Sequence, residues 1–551
     1  MKCIIVTGGV LSGVGKGITG SSIGAILTAA WYSIFMQKFD GYLNVDAGTM
    51  NPYKHGEVFV TEDGAETDLD IGHYERFLDR DMNQMSIFTS GKLMQELMSK
   101  ERQGDYLGND VQIIPHFTNL IKEKIHNAYE SSKADISIIE VGGTVGDMEN
   151  EAIVEAVRQL RQDLGYHDVV YVHLGYIPYL MASKELKTKP IQNSVKDLRM
   201  RGIIPDFLVC RADYPIPEAI IEKIAYMTGV KATHVIPAPT IDSIYRIPLD
   251  YHQHGVGQLL LDHLQLPYTS FDMHKRETLA SHITASTEEL PIALVGKYGT
   301  MQDADYSLIE SLKVAGFYHQ RKVRIIFVNP EDITQENVAD RLSGMAWICV
   351  PGGFGTRGIE WMICAIQYAR EQQIPYLGIC LGSQLMAIEF ARNVLWYADA
   401  TSEEFDTEKQ STHHIVHIME EQKAIRQKWW TMRLGSYPCL LKEWSIIASC
   451  YEKYQKDEKS KIQNLPTGRQ GWEFIISERH RHRYEFNNSY RPEFEEHGFT
   501  ISGTSPDWSL VEMVELRDHP CMIATQAHPE LKARPTKPHP MMMGFIEAIL
   551  W

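Results

Sequence analysis

The sequence contains no apolar run approaching the roughly 20 residues that a membrane-spanning helix needs, so a bilayer-embedded chain is not expected. Cysteine is sparse: eight residues, scattered without a CxxC pair or regular spacing, suggest neither a zinc site nor a disulfide framework. Cys3, Cys210 and Cys349 fall in or beside apolar, strand-like runs and read as buried free thiols of a reducing compartment. Basic charge is also in short supply. With 54 Lys and Arg against 71 Asp and Glu, the formal net charge is −17. That excess argues against a general nucleic-acid or anionic-membrane surface. Internal repeats and long low-complexity tracts are missing too. The first residues carry one lysine and an apolar run broken by glycines, unlike a secretory leader. A cytoplasmic protein is expected.

What is present is globular: 44% hydrophobic and 23% charged residues in 551, too many for one ordinary core. The first half alternates buried-strand runs (CIIVTGG, ISIIEVGG, VVYVHLGY, DFLVCRAD) with helix-period segments such as GITGSSIGAILTAAWY and NEAIVEAVRQLRQDLG. This alternation predicts an α/β fold with a mostly parallel sheet. The pattern fails between Gln265 and Leu290 and restarts at PIALVGKYG, followed by VRIIFVNP, MAWICVPGGFG and IPYLGICLG. The expected organisation is a first domain over residues 1–266, a linker over 267–290 and a second α/β domain over 291–551. YEKYQKDEKSKIQNLPTGRQG, residues 451–471, reads as a solvated loop or insertion.

Residues 8–20, GGVLSGVGKGITG, approach a phosphate-binding loop, in which backbone N–H groups and a helix N-terminus cradle phosphate. Lys16 would reach the outer phosphates. Val10 stands where the first glycine belongs, and Gly17 replaces the metal-binding Ser or Thr after the lysine. The alternative is a plain glycine turn between strand and helix. The missing hydroxyl can be compensated by carboxylates, since Mg²⁺ takes one or two of them with phosphate oxygens and water. Glu140 ends the strand ISIIE, and Asp70 lies in TEDGAETDLDIGHYE. The segment KELKTKPIQNS, with Lys187, Lys189 and Gln192, and Lys223 downstream, reads either as a solvated face or as a triphosphate subsite.

The strings VTGGVLSGVGKGI, QKFDGYLNVDAGTMNPYKHGEVFVTEDGAETDLDIGHYERF, KERQGDYLGNDVQIIPH, EVGGTVGDMEN, KTKPIQNSVKDLR and DSIYRIP resemble the synthetase half of the CTP synthase family. The resemblance runs over residues 1–266 and implies a dethiobiotin-synthetase-like phosphate loop, in which a glycine after the lysine is normal. It also implies ATP at Gly13, Val14, Gly15, Lys16, Gly17 and Ile18, with Asp70, and Mg²⁺ at Asp70 and Glu140. The pyrimidine triphosphate is implied at Ser12, at Lys187, Thr188, Lys189, Pro190, Ile191 and Gln192, and at Lys223. Asp147, Met148 and Glu149 would meet the base of the CTP inhibitor, and Pro239, Thr240 and Ile241 the adenine. Gly41 and Ala47 stand where that family usually has proline, and APTIDSIY lacks its usual Lys-Asp-Val.

In the second half, IPYLGICLGSQLMAIEFAR reads as strand, sharp turn and helix, with Cys380 at the turn between Gly378 and Gly382. This is a nucleophile elbow with Cys in place of Ser, and the following helix N-terminus favours thiolate. Backbone N–H groups of Leu381 and of Gly353 in PGGFGTRG would form an oxyanion hole. His528 in QAHPE is the candidate base. If that segment is extended, Glu530 projects on the same side and orients the imidazole. These motifs resemble class I glutamine amidotransferase domains, and ERHRHRYEFN resembles the glutaminase of the CTP synthase family. The resemblance implies glutamine contacts from Gly353, Leu381, Gly382, Ser383, Gln384, Glu404 and Arg483. Ser383 replaces that family's usual Met. TMRLG, residues 431–435, matches its lid, but KWW precedes it and residues 436–477 match poorly. His413, His414 and His417 lack a nearby acidic or thiol partner in the sequence and are not expected to bind metal.

A glutaminase fused to a phosphate-loop domain implies that ATP activates an acceptor oxygen, which ammonia then displaces as phosphate. With a second triphosphate subsite the acceptor reads as UTP and the product as CTP, the work of a carbon–nitrogen ligase. The resemblance adds GTP as activator, CTP as feedback inhibitor and a homotetramer formed from dimers. The competing readings are a cobyrinic-acid-type amidase and a nucleotide-sensing or filament-forming homologue.

Overall fold

The computed structural model describes residues 1–48, 50, 55–297, 302–419, 432–455, 472–548 and 550. Contacts divide the chain into two units, Met1–Met50 with Asp70–Ala280 and Asn51–Leu69 with Ser281–Trp551. Among the described residues no helix is long and apolar enough to cross a membrane.

The first unit is built on seven strands: β1 (Lys2–Gly8), β2 (Ile34–Asp40), β3 (Ile87–Thr89), β4 (Ile136–Val141), β5 (Val169–Tyr176), β6 (Phe207–Ala212) and β7 (Val235–Pro239). They form one sheet in the order β7-β6-β5-β1-β4-β2-β3, with every pairing parallel. Helices α1 (Lys16–Ala29), α2 (Leu69–Leu78), α3 (Glu151–Leu164), α4 (Lys189–Met200), α5 (Glu218–Thr228) and α6 (His274–Ala285) accompany it. β1 is central because Cys3, Ile4, Ile5 and Val6 are fully buried, as a strand covered on both faces requires. Its neighbours β4 and β5 are likewise buried and run parallel to it, so the C-terminal ends of these three strands deliver Gly8, Glu140 and Tyr176 to one edge. In such sheets ligands bind at that edge.

The stretch 267–290, expected as a linker, carries α6 and the first residues of the next strand. The helix was hidden because HKRETLASHITA buries only Leu279 and so has almost no apolar stripe.

The second unit holds a nine-stranded sheet of β8 (Glu288–Val295), β9 (Arg321–Val328), β10 (Trp347–Val350), β11 (Tyr376–Ile379), β12 (Arg433–Lys442), β13 (Trp472–His482), β14 (Phe499–Thr504), β15 (Val511–Leu516) and β16 (Met522–Thr525). The order is β9-β8-β10-β11-β16-β15-β14-β12-β13. Pairing is parallel from β9 to β16 and antiparallel beyond. Helix α7 (Leu381–Asn393) follows β11 directly. Two apolar clusters, one containing Leu385, Phe390 and Phe494 and the other Trp347, Cys349 and Phe545, form its core.

Residues 51–69 belong with this unit through their own contacts. A short hairpin pairs Phe59–Val60 with Glu66–Thr67. Glu62 meets the fully buried Arg479 at 3.0 Å, Glu66 meets Arg481 at 2.9 Å, and Glu57 accepts from the Ser307 backbone N–H at 2.8 Å. Within 436–477 the described residues form β12, a helix (Ile446–Tyr454) and β13. KWW, Thr431 and residues 456–471 lie outside the described residues.

Candidate functional site

The turn after β1 is built for close approach. α1 opens at Lys16 with Gly15 at φ 91°. Val10, in the place of a standard first glycine, takes φ 77°. A β-branched residue there costs on the order of 1–3 kcal/mol of strain. Lys16 is buried, and its ammonium donates to the Gly143 carbonyl at 2.7 Å. Gly17 faces two carboxylates: a methyl on its α-carbon would lie 2.6 Å from Asp70 Oδ1 and 3.3 Å from Glu140 Oε2.

Lys38 on β2 holds the other Asp70 oxygen at 2.6 Å and also reaches Asp40 at 3.2 Å. Tyr74 donates its hydroxyl to Glu140. Burial and the Asp70 charge push the Glu140 carboxyl up to about 7. Burial acts the same way on Asp70, but Lys38, His73 and Lys16 outweigh it and hold that carboxyl below its ordinary value. A buried and a half-buried carboxylate beside a glycine at a helix N-terminus make a donor set suited to a hard, oxygen-seeking cation such as Mg²⁺. His173 on β5 is pushed down to about 3 by burial and then by Lys16. It bonds Thr7 at 2.8 Å and Ser194 at 2.7 Å.

The residues implied for the pyrimidine nucleotide fall into two groups. Lys187 pairs with Glu185, and its hydrogen bond and charge hold the Glu185 carboxyl below its ordinary value, with a smaller contribution from Lys223 on α5. Lys189 and Pro190 open α4, which also carries Ile191 and Gln192, and Gln192 donates to Thr188 at 3.0 Å. Asp147, Met148 and Glu149 follow β4, where Asp147 accepts from the Thr144 backbone at 2.6 Å. Among the described residues no hydrogen bond or ion pair joins these two groups. Ser12 is exposed on the phosphate loop. At the end of β7, Thr240 is tied to Ala212 at 2.9 Å and to Arg211 at 2.9 Å, next to Pro239 and Ile241.

In the second unit Cys380 occupies the turn between β11 and α7 at φ 50°, ψ −99°. Both flanking glycines are required sterically. A methyl at Gly378 would lie 2.8 Å from the Gly382 carbonyl carbon, and one at Gly382 would collide with the Val350 carbonyl. Parallel pairing of Ile379 with Thr525 places the residues after β16 beside Cys380.

His528 Nδ1 lies 2.7 Å from Glu530 Oε1. The segment is not extended as expected: Pro529–Lys532 is a turn of 3-10 helix opened by the proline, and it curls Glu530 back onto the ring. Burial would lower the His528 pKa, but Glu530 and the Cys380 sulfur outweigh it and raise it to about 10. Gly352 is wedged between these two side chains, with its β-position 3.0 Å from His528 Cε1 and 3.6 Å from Cys380 Cβ. The β-position of Gly353 lies 3.2 Å from the Leu381 side chain.

Glu404 accepts from the Gly355 N–H at 2.7 Å. Lys297 donates to the Phe354 carbonyl at 2.9 Å, fixing the same loop. Burial raises the Glu404 carboxyl and lowers the Arg483 guanidinium, and each feels the other's charge. Ser383 and Gln384 return their backbone N–H groups to the Cys380 carbonyl at 3.1 and 3.2 Å. The three histidines are not without acidic partners. His413 meets Asp399 at 2.6 Å, His414 meets Asp406 at 2.8 Å and His417 meets Glu485 at 3.7 Å. Each pair is separate, because the partners come from different turns of chain.

Residues 2–266 match the family described as CTP synthase N-terminus, and residues 300–548 match glutamine amidotransferase class-I. The CTP synthase of Halalkalibacterium halodurans is 48% identical over 549 residues, covering 100% of this chain and 99% of that protein. The chain belongs to the CTP synthase family. The CTP synthase of Bacillus subtilis is 46% identical over 547 residues, 99% of this chain and 98% of its own. A solved Trypanosoma brucei CTPS glutaminase domain with bound acivicin is 34% identical, covering 47% of this chain and 94% of that one at a TM-score of 0.41. Full-length identity to CTP synthases favours neither a cobyrinic-acid-type amidase nor a sensing homologue.

Sequence reasoning missed Lys38, Tyr74 and Lys297. Lys38 sits inside a wholly buried strand, where a lysine has no periodicity to mark it. Tyr74 and Lys297 act through partners distant in sequence, at Glu140 and Phe354.

Proposed function

We propose how the residues above divide the work of a glutamine-hydrolysing CTP synthase, an ATP-dependent ligase that aminates UTP. Cys380 as thiolate attacks the carboxamide carbon of glutamine, and the developing oxyanion is held by the N–H groups of Leu381 and Gly353. His528, kept as imidazolium by Glu530, gives its proton to the leaving ammonia as the C–N bond breaks. It then takes a proton from the water that cleaves the thioester to glutamate. Glu404 and Arg483 hold the charged end of glutamine, with Gly382, Ser383 and Gln384 completing the pocket. The observation that carries this half is the 2.7 Å contact of His528 with Glu530 beside a cysteine in a sharp, strained turn.

In the other unit the loop Gly13–Ile18 cradles ATP while Lys16 follows the transferring phosphoryl to O4 of UTP. Ammonia adds at C4 and phosphate leaves. Lys187–Gln192, Ser12 and Lys223 hold the UTP phosphates, Asp147–Glu149 meet the base of CTP as inhibitor, and Pro239–Ile241 meet adenine. Asp70 and Glu140 would hold Mg²⁺, which when bound neutralises charge across the triphosphate. GTP as activator, a homotetramer of dimers and a cytoplasmic location complete the reading.

The test is spectrophotometric conversion of UTP to CTP with glutamine and with ammonium salts, each with and without GTP. Both nitrogen sources are expected to work and GTP to stimulate only the first. ATP hydrolysis indifferent to UTP overturns the assignment. A Gly17→Ala variant adds a check on the carboxylate pair. Its methyl would press on Asp70 Oδ1 at 2.6 Å, and Asp70 cannot swing away without losing Lys38. Overpacking of this kind costs about 1–3 kcal/mol, so KM for MgATP is expected to rise about 5- to 100-fold with glutamine hydrolysis unaffected.

A further inference from the structure

The Cys380 sulfur has a neighbour that the triad does not use. Gln526 follows β16 as Cys380 follows β11, and the parallel register sets the two side by side. Its side-chain nitrogen lies 3.4 Å from Cys380 Sγ. The residue is buried, and its own N–H is fixed to the Glu512 carbonyl at 2.8 Å.

Which end of the Gln526 amide faces the sulfur is decided two residues away. The Tyr484 carbonyl can only accept, so the Gln384 amide must turn its NH₂ toward it, at 3.1 Å. That same NH₂ lies 3.1 Å from Gln526, which must therefore answer with its oxygen. The Gln526 nitrogen is left pointing at Sγ. Flipping either amide would set donor against donor or acceptor against acceptor inside a buried site, where an unmet polar group costs about 1–3 kcal/mol. One backbone carbonyl thus aims a fixed N–H donor at the nucleophile through two side chains.

We propose that Gln526 is a catalytic residue of the glutaminase half: its N–H hydrogen bond stabilises the Cys380 thiolate before attack and again as the sulfur leaves the thioester. His528, which with Cys380 flanks Gly352, is the proton donor to the leaving nitrogen, a role that takes its proton away during turnover. Gln526 keeps its proton throughout, so it supplies the stabilisation that persists when His528 has become neutral.

The inference rests on Cys380 being the nucleophile, and the experiment separates the two. Gln526→Met keeps the length of the side chain and removes the donor. Iodoacetamide alkylation of Cys380, followed on its peptide by mass spectrometry, is measured against pH, together with kcat and KM for glutamine. A hydrogen bond to a charged group contributes about 1.5–3 kcal/mol. The alkylation midpoint is therefore expected to move up by about one to two pH units, with kcat and the alkylation rate below the parental midpoint falling about 10- to 100-fold. KM is expected to move less than threefold. Parental alkylation rates and midpoint in this variant, with Cys380→Ala inactive on glutamine, overturn the role of Gln526 alone. Undiminished glutamine use by Cys380→Ala overturns the nucleophile assignment and the proposal with it. Should Gln526→Met fail to fold, Gln526→Glu preserves shape and the Gln384 contact while presenting oxygen to sulfur. Slowed alkylation in that variant supports the proposal, and a parental rate overturns it.

Discussion

Cys380→Ala is expected to abolish glutamine-driven CTP formation, by at least about 10³-fold, while leaving the reaction with added ammonia within about twofold of the parent. The asymmetry follows from where the chemistry sits. A carboxamide is a poor electrophile, and the sulfur is the group that the elbow turn, the helix N-terminus and His528 converge on. With His528 raised to about 10, the imidazolium can deliver a proton to departing nitrogen across the neutral range. An alanine leaves that proton with nothing to assist. The substitution itself is mild, since Gly378 and Gly382 already hold the turn and alanine occupies less space than cysteine. Lys16, Asp70 and Glu140 belong to the other unit and keep their own contacts. The measurement is CTP absorbance with each nitrogen source in parallel. Glutamine-driven synthesis surviving the substitution would remove the nucleophile from the scheme.

The parts of this molecule legible in the sequence are those written in short range. β1, β4, β5 and β6 are each dominated by consecutive apolar residues, and the phosphate loop and the elbow are each a strand, a few glycines and a helix. Their candidate residues, Lys16 and Cys380, are fixed by local turn geometry, so spacing alone finds them. β2 was illegible because IFMQKFD buries Gln37, Lys38 and Asp40, whose polar atoms are answered by residues far along the chain. Glu530 was found for a reason the structure replaces: a proline-opened 3-10 turn, not strand alternation, returns it to His528. The membership of residues 51–69 in the second unit depends on Arg479 and Arg481 meeting Glu62 and Glu66, over 400 positions apart in sequence. In the sequence those arginines are only a basic run. Gln526 is the extreme case, since its function is set by the direction of an amide that a distant carbonyl determines.

Lys16→Ala should stop CTP formation with either nitrogen source, by about 10²–10³-fold or more, because the charge it removes is the one that follows the phosphoryl group. The lysine enters from the first turn of α1, is buried, and rests its ammonium on the Gly143 carbonyl at 2.7 Å, a contact it can exchange for a phosphate oxygen without reordering its stem. That stem is packed: a methyl at Gly8 would lie 2.8 Å from Lys16 Cδ, so the channel admits a straight chain and little else. Lys16→Arg should therefore fail as well, which separates the position of the charge from its mere presence. Glutamate release from glutamine, read independently of CTP, is expected to persist in both variants, because Cys380, His528 and Glu530 keep all their contacts in the second unit. A variant that lost glutamate release along with ammonia-driven synthesis would show that Lys16 supports the fold instead of the chemistry. One that kept ammonia-driven synthesis would place phosphoryl transfer elsewhere.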